Sequence, residues 1–180
     1  MGTTGFRRGR DGTVTMVVPA DEAPVLRGLL EQLVEMVAPT EPLDDDPLAA
    51  MVGIGSQTGA PEDPVLARLF PDAYREDEEK SVEFRRYTEH GLREAKHANA
   101  RMALASLDAP GTEHRLTDEE VQAWLGSLND LRLALGTRLD VTEDWHGQAA
   151  DLDPDDPALV LFSVYDWLSV LQELLVRCLR

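Results

Sequence analysis

Apolar residues recur at helical spacing along most of this chain, and at alternating spacing only near its start. At residues 5–18, Phe6 leads into Asp11-Gly12 and then Thr13-Val14-Thr15-Met16-Val17-Val18. The β-branched run behind a two-residue turn signal predicts a β-hairpin. A lone hairpin is marginal in water, so it must pack on helices or pair with another edge, in this chain or in a second subunit.

From residue 21 the period changes. Asp21 as cap, Pro24 in the first turn, and Leu26, Leu29, Leu30, Leu33, Val34 and Val37 predict a helix ended by Pro39. Residues 40–64 carry turn residues, with a short helix expected at Pro47–Val52 behind Asp46. Asp63-Pro64 opens another helix that Pro71 closes. From Asp77 to Leu107 there is no proline, which predicts one long helix with a stripe of Phe84, Tyr87, Gly91, Ala95, Ala98, Met102 and Ala105 open to a partner helix. Thr117 and Glu120 form a capping box for a helix through Trp124, Leu128, Leu131 and Leu135. Residues 140–157, acidic and without Lys or Arg, read as an exposed loop. The last helix starts at Pro157 or Ala158 and runs to the end. One side carries Leu161, Phe162, Tyr165, Leu168, Leu171, Leu175 and Cys178. A second apolar surface of Val160, Val164, Trp167, Val170 and Leu174 marks it as central or as a subunit contact, so a homodimer is expected. The fold class is mainly α: one domain over 1–180, with a hairpin at 5–18 and a helical bundle at 21–180.

Charge then narrows the function. With 34 Asp and Glu against 17 Lys and Arg in 180 residues, the formal net charge is -17. Phosphate repulsion makes direct DNA binding unfavourable without a partner. The start Met-Gly-Thr-Thr-Gly-Phe-Arg-Arg shows no signal segment, and no apolar run reaches membrane-spanning length, so a cytoplasmic protein without membrane association is expected.

Candidate chemistry is sparse. There is no Gly-x-Ser-x-Gly elbow. Gly53–Gly59 lacks the strand and spacing of a dinucleotide loop. Glu94-x-x-His97 and Glu143-x-x-His146 each match half of a di-iron motif, but the second falls in the acidic loop. No catalytic residue, cofactor or metal site is therefore assigned, and the chain is read as a non-enzyme. Basic residues concentrate on the long helix (Arg85, Arg86, Arg93, Lys96, Arg101), and Arg132 and Arg138 sit on the next. Asn129-Asp130 lies among apolar neighbours there, so Asp130 and Arg132 are expected in ion pairs with the long helix, such as Asp130 with Arg85 or Arg86. The functional alternative is a partner-binding groove of Arg85, Arg86, Asn129, Asp130, Arg132 and Arg138. The lone Cys178 is a candidate redox residue whose plainer reading is a small buried hydrophobe.

Several stretches carry a resemblance: Asp46-Pro47-Leu48-Ala49 with Gly53-Ile54-Gly55, Asp63–Tyr74, Glu83–Glu89, Ala123–Leu139, and Tyr165-Asp166-Trp167-Leu168 with Leu171-Gln172-Glu173. Together they resemble an actinobacterial family catalogued as a domain of unknown function, which includes the oxidative-stress regulator AosR. The resemblance covers nearly the whole chain. It implies a cytoplasmic transcriptional regulator of redox homeostasis that acts with a sigma factor or RNA polymerase. It also implies a redox-sensing cysteine pair, which one cysteine can supply only between subunits. The alternative function is an adaptor or scaffold linked to proteolysis or sulfur metabolism, without catalytic activity.

Overall fold

A computed structural model describes residues 4–39, 61–74, 77–108 and 113–180. The expected helix at Pro47–Val52 and the Gly53–Gly59 loop lie outside the described residues. Among the described residues nine elements follow in order: β1 (Gly5–Arg8), β2 (Val14–Val17), α1 (Ala23–Met36), α2 (Pro64–Leu69), α3 (Glu78–Ser106), β3 (Glu113–Leu116), α4 (Asp118–Arg138), α5 (Trp145–Ala150) and α6 (Ala158–Cys178). The fold is mainly helical with a small sheet at its N-terminal end, as the periodicity predicts.

The hairpin forms with Phe6 opposite Met16 and Arg8 opposite Val14. Its loop is three residues, Arg10-Asp11-Gly12, in place of a two-residue Asp11-Gly12 turn, with the Gly9 amide donating to the Thr13 carbonyl at 2.8 Å. Gly12 donates to the Gly9 carbonyl at 3.1 Å and takes a φ of 84°, a conformation that glycine adopts without a Cβ clash. Asp11 accepts from the Thr13 amide at 3.2 Å, which holds its carboxyl below the usual range. The free edge of β2 is met inside the chain: Glu113–Leu116 adds antiparallel with Met16 opposite His114, giving sheet order β1-β2-β3. One sheet face carries Phe6, Val14, Met16, His114 and Leu116, all buried. Four residues with only two inward positions gave too little pattern to read β3 from sequence.

The central helix is α4, with α1, α2, α3 and α6 packed on it. Its capping box is complete: Thr117 Oγ1 accepts from the Glu120 amide at 3.2 Å, and Glu120 accepts from the Thr117 amide at 2.8 Å. Trp124, fully buried at the centre, meets Phe6 edge-on at 5.9 Å and donates to Ser106 Oγ at 2.9 Å. Burying such an indole is stable because its one polar atom is satisfied. On α2, Asp63 caps through the Val65 and Leu66 amides, as expected. On α1 the cap is Glu22 in place of Asp21, and the Glu22 carboxylate instead accepts from the Thr4 amide at 2.8 Å, tying the N-terminus to the helix.

Three further expectations need correction. The acidic stretch contains α5, capped by Asp144 and pinned by Trp145, whose ring stacks with Phe162 at 6.2 Å and meets Tyr165 edge-on at 5.5 Å. A single aromatic among acids thus anchors what charge alone made look like loop. Next, α6 does have membrane-spanning length and composition, at 21 residues and a mean hydropathy of 1.6. Its Phe162, Leu168, Leu171, Leu175 and Cys178 are nevertheless buried, with α4 and β1 packed against the helix. Third, the α3 stripe faces outward. Phe84, Tyr87, Gly91, Ala95, Ala98 and Ala105 are exposed, and the buried face one position on carries Ser81, Arg85, Glu89, Arg93, Ala100 and Ala103.

Candidate functional site

The foot of α3 shows why that helix turned. Asp77 caps it by accepting from the Lys80 amide at 3.1 Å, and Lys80 beside it holds the carboxyl below its usual range. Four residues apart on the inner face stand Ser81, Arg85, Glu89 and Arg93, aligned by the helical repeat. Ser81 Oγ accepts from the Tyr74 amide at 3.1 Å and donates to its carbonyl at 2.5 Å, fixing the incoming chain. The Arg85 side chain is only 5% exposed. It donates to Asp72 at 2.6 Å, to the Phe70 carbonyl at 3.0 Å, and to Glu89. Glu89 in turn accepts from Arg93 Nε at 2.9 Å, and the Arg93 guanidinium lies 4.2 Å from the centre of the Phe70 ring. Burial disfavours the charged guanidinium, but Asp72 and Glu89 outweigh it and raise the Arg85 pKa. The chain of charges closes on itself, two positive and two negative, so an inner face that is not apolar can still be buried. Arg85 Nε alone is buried without a partner among the described residues.

Above this network lies a cleft of about 270 Å³, walled by Phe70, Pro71, Phe84, Thr88 and Leu92 and floored by Arg85. Tyr74 stands edge-on to Phe84 at 6.1 Å. The rim is apolar and open: Tyr74, Phe84 and Leu92 are exposed, and so is Tyr87 on the same helix, at 62%. The exposed cation beside them is Arg86.

The six arginine-groove candidates are not brought together. Arg85 belongs to the buried network and Arg86 to the open surface. Asp130 is buried and pairs with the long helix as expected, but through Lys96 at 2.6 Å and not through Arg85 or Arg86. Asn129 beside it is exposed. Arg132 faces α6 and makes no pair with α3, correcting that half of the expectation: its Nε donates to Ser169 Oγ at 2.9 Å and its Nη1 to Gln172. Arg138 is exposed near the end of α4, beside a shallow apolar cavity lined by Leu29 and Met36. Cys178 is buried where α6 meets β1, and burial pushes its thiol up, against a smaller opposing pull from Arg8. His90 lies 3.4 Å from Glu94 on α3, and His146 stacks on Trp145 at 3.7 Å in α5, so the two half-motifs are on different elements. The tyrosine and phenylalanine rim escaped sequence reasoning because Phe84 and Tyr87 read as a stripe for a partner helix. Its signal was the i, i+4 alternation of charge on the neighbouring face.

A family model described as a domain of unknown function, DUF2017, matches residues 3–179. The chain belongs to the DUF2017 family. Within reach of this family, the chain is 33% identical over 181 residues to the putative oxidative stress regulator AosR of Mycobacterium leprae, covering 91% of this chain and 81% of that protein. It is 32% identical over 175 residues to the oxidative stress regulator AosR of Mycobacterium tuberculosis, covering 88% and 78% respectively. The protein of the same name from Mycobacterium bovis matches to the same extent. No solved structure matches the chain.

Proposed function

We propose that this DUF2017 protein is a regulator in the oxidative-stress response that works by binding another protein, a sigma factor or RNA polymerase, and not by catalysis. The observation that carries the reading is the set of exposed apolar residues on and beside a cleft whose charged floor is internally neutralised: Phe84 and Leu92 line it, Tyr74 stands against Phe84, and Tyr87 is exposed on the same helix. Exposed aromatics clustered in this way are typical anchors of protein contacts. Because the floor's charges already satisfy one another, a partner docks there without leaving a buried ion unpaired. The names of the mycobacterial relatives support the regulatory role. A net charge of -17 supports action through protein contacts over unaided DNA reading.

The test is affinity capture of the tagged chain from its native cell, wild type against Tyr87→Glu and Leu92→Glu. Both sites are exposed, so the variants retain the fold, which circular dichroism checks. Recovery of a sigma factor or polymerase subunit that both variants lose supports the reading. Recovery of a protease or sulfur-transfer enzyme in its place makes the protein an adaptor, and capture insensitive to both variants removes the α3 surface from the account.

Self-association belongs to a different face. The outer side of α6 exposes Val160 at 66% together with Leu161 and Val170, with Trp167 and Leu174 half-buried beside them. This supports a homodimer through α6. The need of β2 for a partner strand, which β3 fills, does not.

A further inference from the structure

On the far side of α4 from its contact with α3, a cavity of about 310 Å³ opens between Arg68 of α2, the end of α4 and Tyr165 of α6. We propose that it binds a small anion, a carboxylate or phosphate group carried on a compact body that can stack on the Tyr165 ring. This inference stands apart from the partner surface on α3.

Arg132 carries the argument. Its guanidinium is fixed before any ligand arrives. Ser169 Oγ spends its hydrogen on the Tyr165 carbonyl at 2.8 Å and so presents lone pairs to Arg132 Nε. Gln172 Oε1 accepts from Nη1, and the guanidinium carbon stands 5.5 Å from the centre of the Tyr165 ring. Every one of these partners is neutral. Among the described residues no carboxylate pairs with Arg132, and its Nη2 makes no hydrogen bond. Arg68, on the opposite wall, likewise has no ion-pair partner among the described residues. Among the described residues, Arg68 and Arg132 thus line one cavity without an ion-pair partner, and Asp140 is the carboxylate that shares it. A guanidinium held in one orientation with its Nη2 free is suited to a carboxylate or phosphate oxygen.

The walls set the body of the ligand. Gly136 has no Cβ, and one built there would lie 3.2 Å from Tyr165 Cε2, so glycine lets the ring press on α4 and form an aromatic wall. Asp140 closes the end of the cavity in the left-handed region at a φ of 49°. The volume is near the lower end of the range for small-ligand sites. An acidic peptide would bring several charges against the field of a strongly acidic protein, whereas a compact anion brings one or two.

The test is an amide chemical-shift titration of the full chain with inorganic phosphate and with benzoate, at constant ionic strength. The expected result is saturable movement of the Thr137, Val141 and Tyr165 signals, tighter for benzoate than for phosphate. Arg68→Gln should weaken binding about tenfold, the loss of one charged contact. Arg132→Lys keeps the charge but loses the fork, and should weaken it similarly. Asp140→Asn, which retains tolerance of the left-handed conformation, should tighten it. Linear, non-saturating shifts, shifts centred elsewhere, or saturable shifts indifferent to both arginine variants would overturn the proposal. Because Arg68 is exposed and makes no internal contact in the fold's core, its variant reports on binding even if Arg132→Lys folds poorly.

Discussion

Arg85 and Arg132 stand on adjacent helices in opposite circumstances. Arg85 is sunk at the foot of α3 with Asp72 and Glu89 against it and Arg93 closing the chain of charges. Arg132 is half-buried at the α4–α6 seam, held only by Ser169, Gln172 and the face of Tyr165. The first arrangement neutralises its own charges and holds structure. The second keeps its charge available. Identity of residue type therefore says little about role, and the count of opposite charges within reach says much.

The widest gap should appear in stability. Arg85→Met leaves the buried Glu89 with Arg93 as its remaining partner and the half-exposed Asp72 with none among the described residues, and breaking a buried pair in this way costs about 3 kcal/mol. Arg132→Gln removes two hydrogen bonds to neutral groups at a partly open site and should cost about 1–2 kcal/mol. Urea unfolding of both variants measures the gap, and equal losses would erase the distinction between the two arginines.

Smaller effects sharpen it. The end of α4 is closed by Val141 donating to the Gly136 carbonyl at 2.9 Å and Asp140 donating to that of Thr137 at 3.3 Å, a helix stop that usually uses glycine where Asp140 stands. Asp140→Gly should raise stability by up to about 1 kcal/mol, since glycine adopts a positive φ without penalty. An aspartate kept at that strain beside the arginine cavity fits a role in tuning its charge. A thermal melt that falls in place of rising would show that the Asp140 side chain holds the turn.

Cys178 should give the smallest effect. Its thiol is buried and its pKa lies above the ordinary 9.0, so near neutral pH it stays protonated and unreactive. The sign follows: a thiol raised by folding adds stability below its unfolded pKa and loses it as pH rises through the folded value. Light scattering with and without oxidant should therefore give the same mass, and Val160→Glu, not reductant, should shift a dimer to monomer. A covalent dimer formed on oxidation would make Cys178 the sensor.

Element positions were legible where caps and periodicity agreed. Thr117 with Glu120, Asp63 before Pro64, and the proline-free run behind Asp77 each placed a helix within a residue or so. The buried face of α3 was not legible. The sequence pattern put Phe84 and Tyr87 in the stripe that meets a partner helix, whereas burial followed charges that satisfy one another four residues apart. Asp130 showed its need for a partner in the sequence but not that Lys96 would supply it. The site at Arg132 was visible as a residue and invisible as a place, because Arg68, Gly136 and Tyr165 come from three helices that only packing unites.

The most direct test follows the side-chain Nε–H signals of Arg85 and Arg132 in one protein sample during a phosphate titration. The account predicts that the Arg132 signal moves and saturates while Arg85 stays fixed, shielded by burial and by the carboxylates that already hold its Nη1 and Nη2. Movement of Arg85, or no movement of Arg132 up to saturating phosphate, would contradict the division between a closed structural arginine and an open binding one.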